Sequence, residues 1–165
     1  MKFITESERL LLRELNPSDA EEFYALNANP KVLQYVIDEP FESVDAARER
    51  LENYDEYEKH GYGRWAVIRK SDEKFLGWCG LKFHDEYIDL GYRFFEEEWG
   101  KGYATESAKA CIEYAFNELG VKQLVARAAK GNDASVRVME KLGMEFWKRD
   151  ICDGMEDAKY YVLKA

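Results

Sequence analysis

A chain of 165 residues with 46% apolar and 15% aromatic side chains can bury one sizeable core, which excludes a disordered or fibrous chain. Its formal net charge of −9 argues against nucleic acid as the main partner, because phosphate backbones need basic patches. The same charge is compatible with a cationic substrate such as an amine. No apolar run approaches a membrane span and residues 1–6 form no signal segment, so one soluble cytoplasmic domain over residues 1–165 is expected. Cys79, Cys111 and Cys152 sit in or beside apolar runs with no metal-like spacing, which predicts buried free thiols and no metal.

Residues 9–13, apolar between two arginines, predict a first strand. Asn16, Pro17, Ser18 and Asp19 then signal a helix start, and Asn29-Pro30 ends that helix. Residues 31–42 mix Val32, Leu33, Tyr35, Val36 and Phe41 around Pro40, so this irregular stretch either packs on the core or lines a pocket. Ser43 is an N-cap candidate for a second helix running to about Lys59. Residues 65–69, 75–83 and 87–95 follow as strands joined by short polar turns, the pattern of an antiparallel meander. Phe75, Trp78 and Phe83 on these strands are read as core, or as an edge for self-association.

The period then changes. Ala104, Ala108, Cys111, Ile112, Ala115 and Leu119 recur at helical spacing, and Gly120 closes the pattern. Residues 121–129 predict a strand. Asn132 caps a further helix with Val136, Met139 and Leu142 on its buried stripe. Residues 144–151 and 159–163 read as two strands joined around Asp153-Gly154. The strand–helix–strand crossover in this half requires a parallel pair. The expected fold is therefore α+β: a mixed, mostly antiparallel twisted sheet of about seven strands, with about four helices on its faces.

Residues 99–106, Trp-Gly-Lys-Gly-Tyr-Ala-Thr-Glu, join a strand to the clearest helix. Two glycines let the backbone bend sharply, and a helix start presents free N–H groups and the positive dipole end to an anion. Lys101 adds a cation between them. The turn is not a Walker loop, which needs Gly-Lys-Ser/Thr after four residues. Nor is it a dinucleotide fingerprint, since Thr105 stands where a third glycine is required.

This turn, with Gly102 and Ala104 at the family's Gly-x-Gly/Ala positions, resembles the GNAT acetyltransferase superfamily. Trp99 stands where Gln or Arg is usual, as in the ribosomal-protein N-acetyltransferase branch. Residues 132–144, with Asn132, Ser135 and the Glu140-Lys141-Leu142-Gly143-Met144 ending, resemble the same branch, as do residues 8–13 and Leu90-Gly91-Tyr92. The resemblance covers nearly the whole chain. It implies acetyl-coenzyme A as cosubstrate, with its pyrophosphate on Gly100, Lys101, Gly102, Tyr103, Ala104 and Thr105. By the same likeness the backbone of Phe94 and Phe95 pairs with the pantetheine amides, and Asn132 and Ser135 lie near the thioester.

Acetyl transfer to an amine through a tetrahedral intermediate needs a neutral amine, an oxyanion donor and a proton for the thiolate. Asp89, alternating against Ile88 and Leu90, is the candidate base, with Glu86 as fallback. Ser135 is the candidate proton donor or hydrogen-bond donor to the thiolate, with Tyr92 behind it as an apolar-face residue. His60 and His84 read as surface residues. The acceptor, a small molecule or a peptide α-amine, is left open, as is monomer or homodimer. A non-catalytic acyl-coenzyme A binder of the same fold is the competing reading.

Overall fold

The structure, a computed structural model, describes residues 2–165. Eight strands form one sheet among these residues: β1 (Phe3–Glu6), β2 (Leu10–Glu14), β3 (Arg64–Arg69), β4 (Phe75–Phe83), β5 (Ile88–Phe94), β6 (Gln123–Ala128), β7 (Glu145–Cys152) and β8 (Met155–Lys164). Five α-helices join them: α1 (Ala20–Leu26), α2 (Val44–Glu52), α3 (Glu56–His60), α4 (Tyr103–Asn117) and α5 (Asp133–Lys141). The sheet order is β1-β2-β3-β4-β5-β6-β8-β7, antiparallel throughout except for β5 and β6. The fold is mixed α/β with a mostly antiparallel sheet, as the order of elements predicts.

Three elements differ from expectation. The eighth strand, β1, folds back on β2 through a turn at Ser7, whose N–H donates to the Leu10 carbonyl. Its four residues, FITE, are only partly buried and carry little alternation to read. The second helix breaks after Glu52, where Asn53 caps it. The break lets two tyrosines reach one strand: the Tyr54 hydroxyl accepts from Arg64 N–H at 2.8 Å, and the Tyr57 hydroxyl donates to the Arg64 carbonyl while accepting from Leu15 N–H at 2.9 Å. Strand β4 lies inside the sheet, so the aromatics at 75 and 78 do not reach an edge; Phe75 is buried.

Alternation puts Leu10, Leu12, Trp65, Val67, Cys79, Leu81, Leu90 and Phe94 under α4, which contributes Ala108, Cys111 and Ala115. Met139 of α5 seals Ala126 and Ala128 of β6, with Met144 and Tyr161 beside them. The other set, Ala66 and Phe75, packs beneath Ala20, Leu26 and Leu51 of α1 and α2. All three cysteines are free and buried, with Cys111 Sγ 3.6 Å from Cys79 Sγ. The Asp153-Gly154 hairpin has both residues at positive φ (51° and 83°), the geometry of a tight two-residue turn.

Candidate active site

The site begins where the parallel pairing fails. Strands β5 and β6 meet at one residue pair, Asp89 with Val125, and then diverge. Each strand leads into a helix, α4 after β5 and α5 after β6, so the opening lies between two helix starts. Backbone groups along a strand point alternately to its two edges. The Phe95 N–H donates to Leu76 on the β4 side, so Tyr92 and Phe94 turn their backbone groups to the opening. The Phe95 carbonyl accepts from Glu98 N–H at 2.9 Å. Both backbone groups of Phe95 are thus engaged within the fold, while Phe94 faces the opening. The Phe94 carbonyl already accepts from the Trp99 indole N–H at 3.0 Å, a role that explains Trp99 at the head of the turn.

A cavity of about 430 Å³ follows this opening to the turn before α4, along Val32, Phe94, Trp99, Gly100, Gly102 and Thr105. Gly100 and Gly102 adopt φ of 74° and 83°, which only glycine takes without strain. Among the described residues, the backbone N–H groups from Gly100 to Thr105 donate to no other group; the first helical bond is Glu106 N–H to Gly102. Six free donors at a helix start fit a diphosphate. Lys101 is less available than its position suggests. Its ammonium lies 3.0 Å from Glu98, a buried carboxylate that also takes Arg69 at 3.1 Å and Lys74 at 3.2 Å. Burial pushes the Glu98 pKa up, but bonds from Lys101 and Lys74 outweigh it and hold the group below its usual range. The cation that the sequence did not signal is Arg9. It donates to the Lys101 carbonyl at 3.0 Å and to Glu106 at 2.7 Å, and lies 4.5 Å above the Tyr103 ring.

On the far side of the opening, Asn132 caps α5, its Oδ1 accepting from Ser135 N–H at 3.3 Å. The Ser135 hydroxyl lies 3.1 Å from the Tyr92 hydroxyl, a hydrogen bond that spans the gap between β5 and α5. Tyr92 therefore does more than pack: its ring lies 6.0 Å from that of Phe94, while its hydroxyl reaches the opening. Burial raises the pKa of this phenol above 10, only partly offset by the bond to Ser135. The serine thus fixes a protonated phenol at the centre of the cleft.

A second cavity, of about 520 Å³, opens on the α1–α2 side. It shares Tyr35, Tyr92, Arg93, Asn132, Ser135 and Val138 with the first, so the two meet at the Tyr92–Ser135 bond. The irregular stretch at 31–42 lines both cavities rather than only packing on the core. Asp89 lies on the floor of the second cavity, 4% exposed. Its carboxylate accepts from Arg64 at 2.7 Å and from Arg127 Nε at 3.1 Å, pinning β3, β5 and β6 together where they splay. This charge cluster was not legible: Arg64 and Arg127 are 63 residues apart and each sits in an ordinary strand pattern. Glu86 is exposed in a turn and lines neither cavity. His60 stacks on Phe83 at 4.1 Å, and His84 on Tyr87 at 4.7 Å; neither lines a cavity.

The sequence pattern of the acetyltransferase (GNAT) domain matches residues 9–145. The uncharacterized N-acetyltransferase YnaD of Bacillus subtilis is 31% identical over 165 residues, covering 95% of this chain and 94% of its own. Among solved structures, a GNAT-family acetyltransferase from Bacillus anthracis superposes with a TM-score of 0.81 at 27% identity, covering 98% of both chains. RimL, a ribosomal L7/L12 alpha-N-protein acetyltransferase solved with coenzyme A, shares the fold at a TM-score of 0.84 and 18% identity, over 99% of this chain and 98% of its own. The chain belongs to the GNAT acetyltransferases, and as a member it is an N-acetyltransferase.

Proposed function

We propose that this enzyme moves an acetyl group from acetyl-coenzyme A to a primary amine by direct attack, with the reaction at the Tyr92–Ser135 bond. The observation that carries the reading is the meeting of two cavities at one half-buried phenol. One cavity runs from that point to a nest of six free N–H donors and suits the diphosphate and pantetheine of the cosubstrate. The other opens from the same point to the opposite face and suits the acceptor. RimL, which shares the fold, was solved with coenzyme A, and this supports the assignment.

In this reading Gly100, Lys101, Gly102, Tyr103, Ala104 and Thr105 hold the diphosphate through their backbone. The open edge of β5 at Tyr92 and Phe94 pairs with the pantetheine arm as an added strand would. Tyr92, protonated at neutral pH, gives its proton to the departing thiolate, and Ser135 and Asn132 orient it. Asp89 receives the amine proton through water, because each of its oxygens already accepts from a guanidinium. The buried, unbridged cysteines suit a reducing compartment such as the cytoplasm.

The test is coenzyme A thiol release with a panel of primary amines, comparing wild type with Tyr92→Phe. A general acid contributes about 10²–10⁴-fold, so kcat should fall at least a hundredfold with acetyl-coenzyme A affinity within about threefold. Unchanged kcat in the variant would remove Tyr92 from the reaction. Binding without turnover on any amine would leave a non-catalytic binder.

A further inference from the structure

Charges of both signs line the acceptor cavity, but their pairing is uneven. Arg93 is tied to Asp38 at 2.8 Å and to the Asn27 side chain at 2.5 Å. Asp55 takes Lys59 at 2.9 Å, and Glu56 faces His60 at 3.5 Å. Asp89 takes Arg64 and Arg127 together, leaving the floor with one net positive charge. Among the described residues, the lining charges without an ionic partner are Arg50 and Lys82 at the exposed rim, and Asp153 in the hairpin turn, to which the Cys152 thiol donates.

Arg127 differs from all of these. Its side chain is only 12% exposed, yet Nε alone is bonded, to Asp89. The two terminal nitrogens, four N–H donors in one plane, make no hydrogen bond among the described residues. These donors stay open to solvent rather than being spent inside the fold, and the residue lines the cavity through which the acceptor would enter. Its guanidinium carbon lies 5.8 Å from the centre of the Tyr87 ring, over its face. The partner that matches a planar fork in shape and charge is a carboxylate bound through both oxygens.

Building on the acetyltransferase reading above, we propose that the acceptor is a small amine that also carries a carboxylate, and that Arg127 selects it by holding that carboxylate in a two-point contact. Asp89, by occupying Nε, aims the free fork into the cavity. A polyamine is disfavoured on the same grounds, because its second ammonium would meet Arg127 and Arg64 and find Asp89 already shared.

The test measures initial rates at saturating acetyl-coenzyme A with L-α-amino acids and 4-aminobutyrate, their carboxamides, and spermidine. The best acceptor should be an amino carboxylate, with kcat/KM ten- to a hundredfold above its own carboxamide, mostly through KM, and spermidine the poorest of the three classes. In Arg127→Gln the acid-to-amide ratio should fall at least tenfold, and Arg127→Lys, which keeps the charge but not the fork, should fall between. Because Arg127 also supports Asp89, the acid-to-amide comparison on wild type decides the matter even if both variants fold poorly. Equal rates for acid and amide, or a preference for spermidine or an uncharged amine, overturns the proposal and leaves the acetyltransferase reading standing. A folded protein that neither binds acetyl-coenzyme A nor releases thiol with any amine overturns both.

Discussion

A glutamate at position 105 should strengthen the fold and weaken cosubstrate binding, opposite effects that separate a binding role from a structural one. Thr105 is the third residue of α4, at a helix start where Gly102 offers no side-chain cap, and it lines the cavity beside the free N–H groups. A carboxylate in the first turn of a helix stabilises it by about 0.3–1 kcal/mol. A diphosphate on the same N–H groups would lie about 5 Å from that carboxylate, where one pair of unit charges at an effective dielectric constant of about 20 repels by about 3 kcal/mol. Even after screening, two negative charges on the ligand imply binding weaker by at least about a hundredfold, or about 2.7 kcal/mol. Calorimetric titration with coenzyme A and thermal unfolding would be run on wild type, Thr105→Glu and Thr105→Gln. The expected result is a Tm at or above wild type for the glutamate variant, with affinity lost in it and nearly kept in the glutamine variant. Undiminished affinity in Thr105→Glu would refute the placement of the diphosphate at α4. A fall in Tm together with affinity would show that the change acts on the fold.

Other consequences follow from single contacts. Asp89→Asn should lower kcat and also destabilise the fold by about 3–5 kcal/mol, because Arg64 and Arg127 lose the carboxylate between them; urea unfolding beside kinetics would show both, and a fully stable variant would contradict the pinning role. Burial raises the Glu106 pKa, but the Ser7 hydroxyl and the Arg9 N–H and guanidinium outweigh it and hold the group below 4.5. Its stabilisation is therefore complete above the unfolded value, near about 4.3, and is lost as pH falls through the lower folded value. Glu106→Gln should cost about 1–2 kcal/mol at neutral pH, and that difference should vanish in acid; a pH-independent difference in urea midpoints would count against it. Gly77→Ala should destabilise by at least about 3 kcal/mol, since its Cβ would stand 2.0 Å from the Arg93 carbonyl oxygen, within backbone that cannot yield; a near-wild-type Tm would contradict the geometry.

What the sequence made legible was local. The period change at Tyr103, the two glycines before it and the Asn132 cap are each contained within a few residues, so the α4 turn and the start of α5 could be placed from the chain alone. The crossover between β5 and β6 followed from the order of elements. What stayed hidden depends on distant residues meeting. Tyr92 read as core because its alternation is that of the buried face, and nothing in sequence shows its hydroxyl reaching Ser135, 43 residues later. The guanidiniums on Asp89 come from strands on either side of β5, and Arg9 reaches the α4 turn across 92 residues. Which of Phe94 and Phe95 presents its backbone to the opening depends on the pairing of β5 with β4, and no pattern within the strand shows which residues that ladder engages.

The central claim is that the splay between β5 and β6, with the turn before α4, holds acetyl-coenzyme A. Isothermal titration of the purified wild-type protein with acetyl-coenzyme A tests it most directly. One saturable site per chain, with affinity retained in Tyr92→Phe and lost in Thr105→Glu, is the predicted result. Absence of binding by correctly folded wild-type protein would contradict the claim, and with it the roles given to Asp89, Tyr92, Asn132 and Ser135.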